Sequence, residues 1–157
     1  MSEPKTILLV EDNANDVALA LAALEEAQQA HEVVVMSDGQ QALDYLYRRG
    51  AHAGRADKLP TVVLLDLKLP KVDGIEVLAR LKQDEVLRTL PIVMLTSSRE
   101  EKDLARCYAL GANAYVVKPV VFSDYVSALQ SLGLFWTVLN QPPPPVRGDS
   151  GGPAPTT

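Results

Sequence analysis

Cysteine is nearly absent: Cys107 is the single one in 157 residues, which excludes an internal disulfide and any multi-cysteine metal site. Its setting in ARCYALG reads as a buried helical position and not as a reactive thiol. Histidine is scarce as well. His31 begins an apolar run, His52 lies in a polar stretch, and neither has a serine or cysteine nucleophile in a recognisable frame, so both read as structural or solvated. No apolar run approaches the roughly 20 residues that span a bilayer, and the opening MSEPKTILLV lacks the zones of a signal peptide. A cytoplasmic protein with no membrane partner is expected. Positive charge is also short, with 15 Lys and Arg against 20 Asp and Glu and a net charge of −5, which excludes broad nucleic-acid binding. A phosphate-cradling loop of the GxxxxGKS/T type is missing, so any phosphoryl donor must come from another molecule.

What the chain does have is 47% apolar residues, enough for one domain with one sizeable core. Five apolar runs, KTILLV, HEVVVMS, TVVLLD, PIVMLT and AYVVKP, have the Val, Ile and Leu content of buried strands. Each precedes a helical pattern, at about 15–29, 38–49, 74–87, 99–110 and 122–139. Strand and helix in strict alternation imply right-handed crossovers and a doubly wound α/β fold with a parallel sheet. Residues 50–60, GAHAGRADKLP, form a long connection read as a solvated loop. The domain is expected over 1–139, with 140–157 a disordered Pro/Gly-rich tail whose composition can build no core.

In such a sheet ligands gather beyond the carboxyl ends of the strands. Glu11 and Asp12 follow the first run, Asp66 the third, Thr96 ends the fourth, and Lys118 precedes Pro119 at the fifth. Singly each has an ordinary explanation: Asp12 or Asn13 could cap a helix, Thr96 suits a strand, and Lys118 could be a surface lysine. Together they place three carboxylates beside one ammonium, an arrangement that repels itself unless a positive ion joins it. A divalent cation brings the sum to zero. Oxygen ligands and few protein contacts favour magnesium.

These residues resemble the response regulator receiver domains, over residues 5 to about 130. The resemblance rests on Glu11-Asp12, on Asp66 in LLDLKLPKVDG, on Thr96-Ser97 and on Lys118-Pro119. It implies a flavodoxin-like (βα)5 fold with strand order 2-1-3-4-5. Asp66 would accept a phosphoryl group from a sensor histidine kinase, and Glu11, Asp12, Asp66 and the main-chain carbonyl of Lys68 would hold Mg2+. Thr96 and Lys118 would contact the phosphoryl oxygens, Tyr115 would be a second switch residue beside Thr96, and the Lys118-Pro119 bond would be cis. The ending LGLFWTVLNQP, with the long loop, is similar to the stand-alone regulators paired with bacterial and cyanobacterial phytochrome kinases. Lys68 departs from that subgroup, where Asn is common.

Val126, Leu129 and Leu132 supply a core stripe, yet Leu134, Phe135, Trp136, Val138 and Leu139 add apolar surface beyond it. Phe135 and Trp136 are therefore candidates for a homodimer interface with helix four, strand five and helix five, unless Trp136 folds back on the core. An aspartyl-phosphate phosphohydrolase would need a carboxylate where Lys68 stands. A flavin carrier would need an amide-rich loop where EDNAND stands. The expectation is a phosphoacceptor and not an enzyme acting on a separate substrate; without an attached effector it could signal by protein contact, relay the phosphoryl group or drain it from the kinase.

Overall fold

The computed structural model describes residues 5–26, 31–50, 59–118 and 121–133. Among these, strands β1 (Lys5–Val10), β2 (His31–Met36), β3 (Val62–Leu65), β4 (Ile92–Thr96) and β5 (Ala114–Val117) alternate with helices α1 (Ala14–Glu26), α2 (Gly39–Tyr47), α3 (Gly74–Gln83), α4 (Glu101–Leu110) and α5 (Phe122–Gly133). All strand pairs are parallel, in the order β2-β1-β3-β4-β5. This is the doubly wound sheet that the alternation implied.

Successive side chains of a strand point to opposite faces, so each apolar run feeds two cores. Leu8, Val10, Val63, Leu65, Ile92 and Met94 pack with Ala42, Leu43, Val77, Leu78, Leu81 and Cys107 of α2, α3 and α4. Ile7, Leu9, Val62, Leu64, Val93 and Leu95 pack on the other face with Ala20, Ala23 and Leu24 of α1, joined by Val126 of α5. Cys107 is fully buried, and burial raises its thiol pKa, in keeping with an inert core residue. The winding reverses between β1 and β3, whose carboxyl ends therefore flank a crevice.

Helix ends differ from the periodic pattern where side chains compete for main-chain bonds. The pattern carries α3 to 87, but the helix stops at Gln83 because the Asp84 carboxylate accepts the N–H groups of Val86 and Leu87 and opens a short 3-10 turn, Leu87–Thr89. Similarly α4 starts at Glu101 and not at 99, since the Ser98 hydroxyl accepts the Glu100 N–H. Helix α1 starts one residue earlier than expected and α2 runs Gly39–Tyr47, inside the 38–49 pattern. The expected loop core at 51–58, the ends of the first and last helices at 27–29 and 134–139, Phe135, Trp136 and the tail 140–157 lie outside the described residues, and of Leu129 and Leu132 only the backbone is described.

Candidate functional site

Main-chain hydrogen bonds run one residue past the strands, and this is what fixes the site. Glu11 N–H donates to Met36 C=O at 3.0 Å, Asp66 N–H to Val10 C=O at 3.1 Å, and Lys118 N–H to Thr96 C=O at 2.8 Å. Three charged residues are thus held on the sheet frame. Their side chains converge. The Lys118 ammonium donates to Glu11 Oε1, to Asp66 Oδ2 at 3.3 Å and to Asp16 Oδ2 at 3.0 Å. Asp12, exposed, completes a triangle in which one oxygen each from Glu11, Asp12 and Asp66 lie within 4.8 Å of one another. A cleft of about 370 Å³ opens beside them, lined by Asp66, Lys68, Thr96, Ser98 and Arg99 among others.

Electrostatics within the cluster are those of crowded acids. Burial pushes the Glu11 carboxyl up to about 7, with neighbouring Asp66 adding to the rise against the pull of Lys118. Burial alone would lower the Lys118 pKa, but its contact with Glu11, the charge of Asp66 and the contact with Asp16 raise it instead. Three close carboxylate oxygens, one on a residue only 3% exposed, form a donor set that fits a hard divalent cation. Lys68 lies on the cleft wall next to Asp66, where its side chain is exposed.

Gly74 sets the shape of the loop that carries Asp66. A Cβ on Gly74 would stand 1.9 Å from the Asp66 carbonyl oxygen and 2.7 Å from that of Leu67, while its N–H donates to Leu67 C=O at 2.8 Å. The residue is thus required for close approach of the two backbone segments. Asp73 caps α3 in front of it, accepting the Ile75 N–H at 2.8 Å.

On the other wall, Thr96 is buried and its Oγ1 accepts the Ser98 N–H at 3.2 Å. Tyr115, half-buried, donates its hydroxyl to Ser98 C=O at 3.0 Å, and the Ser98 hydroxyl donates to Asp103 Oδ2 in α4 at 2.7 Å. Glu11, Asp12, Asp66, Thr96 and Lys118 are therefore gathered as the strand ends suggested, with Tyr115 linked to them through Ser98. Pro119 lies outside the described residues, and the expected cis bond with it.

Sequence reasoning missed Asp16 and Ser98. Asn13 does cap α1: its Oδ1 accepts the Asp16 N–H at 3.0 Å, which puts Asp16 in the first turn of the helix, over the strand ends. The caps of EDNAND held that signal.

A five-stranded parallel sheet in this order, with an aspartate cluster and a lysine at its carboxyl edge, defines the class: the chain belongs to the response regulator receiver domain family, whose model matches residues 7–130. Among individual relatives, it is 41% identical over 143 residues to the probable methanogenesis regulatory protein FilR2 of Methanothrix harundinacea, covering 91% of this chain and 90% of that one. It is also similar to the solved bacteriophytochrome response regulator AtBRR, at 58% identity and a TM-score of 0.74, over 89% of this chain and 100% of the other. The phosphorylated cyanobacterial phytochrome response regulator RcpA superposes with a TM-score of 0.83 at 38% identity, over 90% and 100% of the two chains. Among the described residues no helix is long and apolar enough to cross a membrane.

Proposed function

We propose that this chain is a single-domain phosphoacceptor switch in which Asp66 takes a phosphoryl group from the phosphohistidine of a phytochrome-type sensor kinase. The observation that carries the reading is the Asp66 carboxylate, which lines an open cleft, forms one corner of the acidic triangle and accepts from the Lys118 ammonium. An Asp66 oxygen attacks phosphorus, the phosphorus–nitrogen bond of the donor breaks, and the released imidazole nitrogen takes a proton. Charge spread over the equatorial oxygens is met by Lys118 and by the Thr96 hydroxyl. Glu11, Asp12, Asp66 and the Lys68 carbonyl would hold Mg2+, which when bound neutralises charge on the phosphoryl oxygens. The chain catalyses only its own modification and its reversal.

The output runs through Ser98. A hydroxyl drawn toward the phosphoryl group releases the Ser98 N–H, and Tyr115 and Asp103, bonded to the same residue, pass that change to β5 and α4. Support for self-association on the α4, β5 and α5 side comes from the exposed Leu104 and Tyr108 of α4 and from Phe122 at the start of α5.

Incubation with magnesium and acetyl phosphate, followed by mass spectrometry of the intact chain, tests the reading. A gain of one phosphoryl group is expected for wild type and none for Asp66→Asn. Equal modification of both, or of neither, defeats it. Cross-phosphorylation by a purified phytochrome-type kinase then tests the partner.

A further inference from the structure

Asp16 is a carboxylate at the cluster that no part of the acceptor chemistry above requires. It stands outside the triangle of Glu11, Asp12 and Asp66, yet its Oδ2 lies 3.0 Å from the Lys118 ammonium, nearer than Asp66 Oδ2 at 3.3 Å. An ammonium has three N–H donors, and here all three point at carboxylates. None is left for another oxygen.

The three partners are not equal. The Glu11 side chain is 4% exposed and that of Asp66 13%, whereas that of Asp16 is 36% exposed. Breaking the Glu11 contact would strand a buried charge; breaking the Asp16 contact leaves a carboxylate that water can solvate. The main chain of Asp16 is fixed in the first turn of α1, where its N–H is taken by the Asn13 cap.

We infer that Asp16 is a positioning residue that competes with the phosphoryl group on Asp66 for Lys118, holding the ammonium in the resting state and opposing its move onto the new phosphoryl oxygens. The inference rests on the acceptor reading of Asp66. Removing the charge frees one donor, so the modified state gains relative to the resting one by about the strength of a partly exposed ion pair.

The test is a titration of the full chain with beryllium fluoride in saturating magnesium, followed by 19F NMR. Asp16→Asn and Asp16→Ala are each expected to tighten the complex roughly 2- to 5-fold over wild type. In a Lys118→Met background the same substitutions are expected to change nothing, a result that a helix-stabilising role for Asp16 would not give. Unchanged or weaker binding in both single variants overturns the inference, and so does equal tightening without the lysine. Should Lys118→Met fail to fold, the 15N shift of the Lys118 ammonium replaces that arm: a shift on Asp16→Asn supports the inference and no shift overturns it. A wild type that fails to bind beryllium fluoride through Asp66 defeats the acceptor reading itself, a result distinct from an Asp16 that is silent in a working acceptor.

Discussion

Thr96 and Tyr115 hold one residue by its two main-chain polar atoms: the threonine hydroxyl accepts the Ser98 N–H at 3.2 Å and the tyrosine hydroxyl donates to the Ser98 carbonyl at 3.0 Å. The two side chains never need to touch in order to be coupled. Their link is a loop residue that also bonds Asp103 of α4.

Tyr115→Phe therefore isolates the coupling. It deletes one hydrogen bond and keeps the ring, so the stability cost is about 0.5–1.5 kcal/mol by urea denaturation. Phosphorylation of Asp66 is expected to proceed, while the ratio of partner affinities with and without beryllium fluoride falls toward one. A ratio equal to that of wild type removes Tyr115 from the output path.

Gly74→Ala addresses the loop under Asp66. The added methyl would overlap the Asp66 carbonyl oxygen, and main chain cannot yield as a flexible side chain can. A loss of about 1–3 kcal/mol and a slower reaction with acetyl phosphate are expected together. Stability loss with an unchanged rate would separate the glycine from the geometry of the acceptor.

Glu11 makes the metal-free protein sensitive to pH. Its folded pKa of about 7 exceeds the ordinary value of 4.5, so the folded state binds more protons than the unfolded one between those limits. Stability from this group is full below the unfolded pKa and is lost as pH rises through about 7. Melting in a chelator should show that decline, and Glu11→Gln should flatten it. Magnesium competes with the same proton, so its affinity should rise with pH over the window and level off above it.

Lys82 offers a control away from the cluster. Its ammonium donates to the carbonyls of Arg88 and Leu90 at 3.0 and 2.9 Å and to Asn113 Oδ1 at 3.3 Å, tying α3 to the 3-10 turn and to the approach to β5. Lys82→Met leaves those acceptors short of donors and is expected to cost about 1–3 kcal/mol. Acceptor chemistry should be unaffected in the folded fraction, as followed by mass spectrometry.

Why the strand ends could be read from the sequence, and other parts could not, follows from how each is built. A parallel sheet converts a run of Val, Ile and Leu into a known position for the residue after it, which is why Glu11, Asp12, Asp66, Thr96 and Lys118 were legible. Asp16 depends on the rotation of α1 about its axis, set by the Asn13 cap, and Ser98 on the path of a loop; neither is periodic. The Gly74 contact is a matter of distance between two backbone segments, which a residue type alone does not state. The end of α3 turned on the side chain of Asp84 outcompeting a helical pattern that ran on to 87.

Because the ladder continues through Glu11, Asp66 and Lys118, the location of the reactive carboxylate is a matter of strand alignment. Side chains alternate with period two, so sliding β3 by one residue against β1 would turn Val63 and Leu65 toward α1 and α5 and shift Asp66 off its bond with Val10. A chain misaligned in this way could keep its helices and strands in full and still be chemically mute. Secondary structure alone would then be a poor proxy for competence, and a fold-quality assay on variants of β3 would have to read the acid cluster itself.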